Sequence, residues 1–127
     1  MTGEIGKMEI AAAANYLASY RTNGKLLFMD NYEREHFEEK EGVLHDILDE
    51  VPVARERMSE IRHFISSLKN CDEKLFLYYY YVKGRSAETC GELLGVSRST
   101  AFRLKKRAIL LAAEALASRR ASEDKED

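Results

Sequence analysis

The sequence predicts an all-α protein, with an N-terminal helical hairpin or pair of long helices followed by two short helices joined by a tight glycine turn. Three observations predict it. The 127 residues include one proline and seven glycines, so long helices meet few internal breakers. Ala54, Met58, Ile61, Ile65 and Leu68 recur at intervals of four and three, the spacing of one helix face, while Arg55, Glu56, Glu60 and Arg62 fall off it. Gly91 and Gly95 sit among Cys90, Leu94, Val96, Ala101 and Leu104, a register that folds one short helix back on the next. Hydrophobic residues at 45% and charged residues at 33% suit one globular domain with a modest core.

Taken in order, the elements have local reasons. Met1–Gly6 carries two glycines and no periodic pattern, so it is expected to be loose. A first helix fits the alanine-rich Lys7–Tyr20, and Asn23-Gly24 is expected to stop it, since both residues tolerate a left-handed cap. A long helix is expected over Leu26–Glu50, with Leu26, Met29, Phe37, Leu44, Ile47 and Val51 near heptad spacing. Pro52 closes it and opens Pro52–Lys69, because proline suits a first helical turn. Asn70 is an N-cap for Asp72–Val82, whose first turn is acidic. Ser86 caps a helix ending at Leu94, and Ser97 caps the last, expected to reach Ala117. The domain reading follows: 1–69 an N-terminal helical segment for oligomerisation or partner binding, 70–117 the paired helices, and 118–127 a disordered charged tail.

Charge is unevenly spread. The formal net charge is −2, yet Lys83–Arg107 holds seven Lys or Arg against Glu88 and Glu92, a net of +5. Asp30–Glu50 holds nine acids against Arg34 and Lys40, a net of −7. A basic working face on an acidic body is the simplest reading. Met1–Glu9 does not resemble a secretory leader, and the longest uncharged run, Ile10–Tyr20, is eleven residues where a span needs about 20. The expectation is a cytoplasmic protein with no membrane partner. Cys71 and Cys90 make no disulfide framework, and neither has metal-ligand spacing to His36, His45 or His63. With no nucleophile set, phosphate loop or metal cluster, no enzymatic activity and no cofactor are expected.

The chemistry lies in Lys83–Arg107. Gly91 is the small residue at the helix contact, Gly95 the residue that accepts positive φ, and Cys90, Leu94, Val96, Ala101 and Leu104 the buried wedge. This register is that of a helix-turn-helix. Facing away from the wedge on the second helix are Arg98, Ser99, Phe102, Arg103 and Lys106. Arg98, Ser99, Phe102 and Arg103 are the candidates for base edges: arginine can form two hydrogen bonds to guanine, and Phe102 can touch a thymine methyl. Lys105, Lys106 and Arg107 are candidates for phosphates, as are Lys83, Arg85, Ser86 and Thr89 at the front of the first helix. The run Tyr78–Tyr81 invites a base-stacking reading, but four successive helical residues point all round the axis, so core packing with hydroxyls at the rim is expected. The acids Glu33, Glu35, Glu38, Glu39 and Glu41 read as a solvated face.

On these residues Asp72–Leu116 resembles region 4 of sigma-70-family factors: Tyr81-Val82-Lys83-Gly84-Arg85-Ser86, then Glu92–Ser97, then Arg98-Ser99-Thr100-Ala101. Thr89-Cys90 departs from the family's common Glu-Ile-Ala-like stretch. The resemblance implies a module that binds promoter double-stranded DNA and touches RNA polymerase. With helices in front and no sigma region 2, the whole chain is similar to small phage regulators of late transcription of the RinA and ArpU type. The implied function is a sequence-specific DNA-binding transcriptional regulator, phage or prophage encoded and acting in the cytoplasm of a bacterial host cell. Two alternatives stay open: a protein-interaction module docking on RNA polymerase or another host protein, and a small terminase-like packaging protein. The helical seams leave open either an intramolecular hairpin or a homodimeric coiled coil.

Overall fold

The computed structural model describes residues 5–36 and 41–125, and the described residues are helical in five α-helices and one π-turn. Helix α1 (Lys7–His36) and helix α2 (Glu41–Ser67) form the N-terminal part. Tyr16 meets Phe64, Tyr20 meets Arg62, and Gly24 approaches Met58, so α1 and α2 run antiparallel. This is the intramolecular hairpin, but its two limbs are divided elsewhere than the sequence suggests.

Asn23-Gly24 does not stop α1, and Pro52 does not begin α2; both lie inside helices. The reason is tertiary. The Asn23 amide donates to the Ser19 carbonyl at 2.8 Å, within its own helix, and the space beside Gly24 is taken by Met58 at ordinary contact distance. Packing along both sides outweighs the local preference of the pair. Pro52 sits on the exposed side of α2, while Val51, Ala54, Ile61, Phe64, Ile65 and Leu68 bury a continuous stripe. A missing N–H on the solvent side is outweighed by that burial. Of the seam expected upstream, Leu26 is half-buried, Val51 is buried, Met29 is exposed, and Phe37 lies outside the described residues.

Helix α3 (Cys71–Leu77) passes directly into a π-turn, Tyr78–Val82, where a continuous α-helix was expected. The Lys83 N–H reaches the Tyr78 carbonyl, five residues back, at 3.0 Å. Asn70 stands at the start of α3 with extended backbone, and the Lys74 N–H bonds to its carbonyl, but its side chain makes no capping bond. Helix α4 (Ala87–Leu94) and helix α5 (Arg98–Lys125) follow. Helix α5 does not end at Ala117: residues 118–125, expected to be disordered, are helical. Arg119 lies over the Phe64 ring at 5.8 Å, so part of that stretch is held by α2.

Two clusters organise the interior. The larger draws Ala13 and Leu17 from α1, Ile61, Phe64 and Ile65 from α2, Leu68 from the residues just after it, Leu77 from α3, and Ala108, Ala112 and Ala113 from α5. Alanines on α1 and α5 let these helix backbones approach closely. The smaller joins Phe76, Cys90 and Leu104, with Tyr79, Tyr80, Ala87 and Leu94 against it. Helix α5 enters both clusters and is the rod that ties the α4–α5 pair to the hairpin.

Candidate nucleic-acid interface

The turn between α4 and α5 is built from four interlocking features. The Ser86 hydroxyl accepts the Thr89 N–H at 3.2 Å and so caps α4. At the other end Gly95 takes φ +73°. There the Val96 N–H bonds to the Gly91 carbonyl at 2.9 Å and the Gly95 N–H to that of Glu92 at 3.1 Å, the paired bonds of a Schellman ending. Ser97 then accepts the Thr100 N–H at 3.3 Å and caps α5. Gly91 closes the crossing: a Cβ there would stand 2.7 Å from the Cβ of Ala101. Beneath it Cys90, Ala101 and Leu104 are buried, with Leu94 and Val96 half-buried. The glycines and both caps occupy the positions that the sequence register assigns them.

Helix α5 turns Ala101, Leu104 and Ala108 inward, so Ser99, Phe102, Arg103 and Lys106 face away from the core, and all four are exposed. Arg98, also exposed, is oriented by its neighbours. Its Nε lies 3.0 Å from Glu88 Oε1 on α4, and its guanidinium sits 5.9 Å from the Phe102 ring centre. The contact holds the guanidinium beside α4 while the side chain stays on the exposed face. Sequence reading placed Arg98 on this face but missed Glu88, whose contact with it depends on how α4 and α5 cross.

The expected phosphate contacts divide. Lys83, Arg85 and Ser86 are exposed and Thr89 half-exposed at the front of α4, and Lys106 is exposed on α5. Lys105 instead lies 4.7 Å above the Tyr80 ring, and Arg107 is turned to the flank, 3.4 Å from the buried carboxylate of Glu73. Tyr78–Tyr81 are all half-buried. Tyr80 stacks on Phe76 at 5.7 Å and meets Tyr81 edge-on at 4.8 Å, so these rings are packing elements. Cys90 is free and buried, and burial pushes its thiol up from the usual range; Cys71 is free and exposed. Among the described residues no group of His, Cys, Asp or Glu is disposed to hold a metal, and no helix is long and apolar enough to cross a membrane.

Fold and site together define an all-α protein in which a helix-turn-helix is fused to an antiparallel helical hairpin. The chain belongs to a family of proteins of unknown function, DUF1492, whose model matches residues 42–112, more than half its length. The match covers most of α2, all of the helix-turn-helix and the first half of α5, and leaves out α1. No curated protein and no solved structure matches the chain.

Proposed function

We propose that this protein is a sequence-specific DNA-binding transcriptional regulator of the kind phages and prophages encode, reading the major groove with the first turns of α5. The single observation that carries the reading is the exposed face Arg98, Ser99, Phe102, Arg103 and Lys106 on a helix whose start is fixed by the Gly91 crossing, the Gly95 turn and the Ser97 cap. In this reading Arg98, steadied by Glu88, offers its terminal nitrogens to guanine, Arg103 and Ser99 reach neighbouring base edges, and Phe102 contacts a thymine methyl. Lys83, Arg85, Ser86, Thr89, Lys105 and Lys106 hold the flanking phosphates. Arg107 joins them only by giving up Glu73. The likeness to sigma-70 region 4 in Asp72–Leu116 supports the same reading.

Selection of bound duplexes from random DNA tests it. The wild type should enrich a defined site, palindromic if the protein acts as a homodimer. Arg98→Ala and Arg103→Ala should each cost about 1–3 kcal/mol on that site and relax preference at one position. Failure to enrich any site, or unchanged binding by the double variant, overturns it.

A second reading is a module that docks on RNA polymerase. It draws on exposed apolar side chains of α1, with Phe28 70% and Met29 53% exposed. Capture of polymerase by the wild type and its loss in Phe28→Ser/Met29→Ser would favour it.

A further inference from the structure

The N-terminal hairpin brings to the helix-turn-helix a basic surface that the linear sequence does not announce. Arg21 of α1 lies against the Gly84 turn: a Cβ on Gly84, at φ +69°, would stand 2.8 Å from its guanidinium. Two adjoining clefts, of about 400 and 480 Å3, open where α1 meets the π-turn and the residues after it. Among the described residues their charged lining consists of Arg21, Lys25, Lys83 and Arg85, with no acid in either cleft. Ser86, the cap of α4, borders the first. All four cations are exposed. Among the described residues no carboxylate pairs with any of them, whereas Arg98 and Arg107 each have one. Arg21 and Lys25 are one helical turn apart on α1, so they share a face, and that face lines the same clefts as Lys83 and Arg85.

Four cations without a carboxylate partner among the described residues, Lys83 among them lying over the Tyr78 ring at 5.5 Å, line clefts that reach the start of α4 and match a phosphate backbone better than a point ligand. We infer that Arg21 and Lys25 form a second phosphate-binding surface that follows the DNA strand beyond the helix-turn-helix, so that α1 lengthens the footprint on the side of α4. The inference rests on the DNA-binding reading and adds to it an element outside the family match. It assigns affinity and not sequence preference to α1, because phosphate contacts carry no base information. Gly84 belongs to the same surface: with no side chain and a left-handed backbone, it lets Arg21 and the Lys83–Arg85 turn approach each other.

The test compares full-length wild type with Arg21→Ala/Lys25→Ala on the selected duplex, by titration at several salt concentrations and by hydroxyl-radical footprinting. Each lost phosphate contact lowers the slope of log K against log salt by about 0.9, so the double variant should lose about two units of slope. Its protected region should shorten on one flank, and its ranking of base substitutions should stay that of the wild type. Arg21→Lys/Lys25→Arg should restore slope and footprint. Both variants change exposed side chains, and a thermal melt matching the wild type verifies that they fold. An unchanged slope and footprint in the alanine variant overturns the inference while leaving DNA binding by α5 intact. A changed base preference, or loss of polymerase capture with the footprint unchanged, also overturns it. A wild type that enriches no duplex removes the DNA reading and this surface with it.

Discussion

At the scale of single residues, the two glycines of the turn do different jobs, and their substitutions should behave differently. Gly91 is needed for space: its Cβ would lie 2.7 Å from that of Ala101. Gly91→Ala should therefore cost about 1–3 kcal/mol by overpacking. Ala101→Gly, although itself unfavourable in a helix by about 1 kcal/mol, should relieve the clash. A denaturant series on the two single variants and the double should show a coupling energy of about 1 kcal/mol; strict additivity would mean that the helices do not meet there. Gly95 is needed for its backbone, since nothing lies within 4 Å of the space a side chain would fill. Gly95→Ala should cost about 1–2 kcal/mol, Gly95→Asn less, and no neighbouring substitution should rescue either. Arg107 poses a sharper question, because sequence reading gives it to phosphate and the structure gives it to Glu73, only 5% exposed. Arg107→Ala should lower stability by about 1–3 kcal/mol by leaving that buried carboxylate without its cation. If DNA affinity falls instead while the melt is unchanged, its working partner is the phosphate.

At the scale of elements, the short ones near the site were legible and the long ones were not. Ser86, Gly91, Gly95 and Ser97 act within a few residues of themselves, through capping bonds and a left-handed turn, so their meaning survives without knowledge of the fold. Asn23-Gly24 and Pro52 are equally strong local signals, yet both are overruled, because α1 and α2 bury stripes that extend past them. The π-turn had no signal at all. Tyr78–Tyr81 read as ordinary helix, and the Lys83 N–H reaching back five residues to the Tyr78 carbonyl leaves no mark in the pattern of side chains. The Arg21–Lys25 surface was invisible because some sixty residues separate it from the turn it adjoins. The overruled proline makes a prediction of its own. A proline inside a helix forfeits a hydrogen bond and crowds the preceding turn, at up to about 3 kcal/mol. Pro52 is exposed. Pro52→Ala should raise the melting temperature and the denaturant midpoint; a lower midpoint would show that a bend at Pro52 is needed to lay α2 along α1.

At the scale of the molecule, the question is whether hairpin and helix-turn-helix unfold together, and two tyrosines report on it. Helix α5 contributes Ala108, Ala112 and Ala113 to the hairpin's cluster and Leu104 to the one beside Cys90, so loss of either cluster exposes the same rod. Tyr16 lies in the hairpin, its ring edge-on to Phe64 at 5.6 Å. Burial pushes its phenol up, Glu60 adds to the rise, and Arg119 offsets part of it. Tyr81 lies in the π-turn, where burial and then the neighbouring Tyr80 push its phenol up as well. A phenol whose folded pKa is raised holds its proton more tightly in the folded state. Its contribution to stability is therefore complete below the unfolded value near 10 and is lost as pH climbs through the raised folded value. Cys90, raised by burial from its ordinary value near 9, has the same sign and begins to act slightly lower. Denaturant midpoints measured from pH 8 to pH 11 should hold level and then fall steadily above about pH 9–10. Over the same range, tyrosinate absorbance compared between wild type and the Tyr16→Phe and Tyr81→Phe variants should place the ionisation of each of these two phenols above pH 10. Tyr16→Phe should flatten part of the fall and Tyr81→Phe another part. If the parts of the molecule form one cooperative unit, each substitution shifts a single transition seen alike by every probe. Two separated transitions, one moved by Tyr16→Phe and the other by Tyr81→Phe, would show that α5 does not couple the hairpin to the helix-turn-helix.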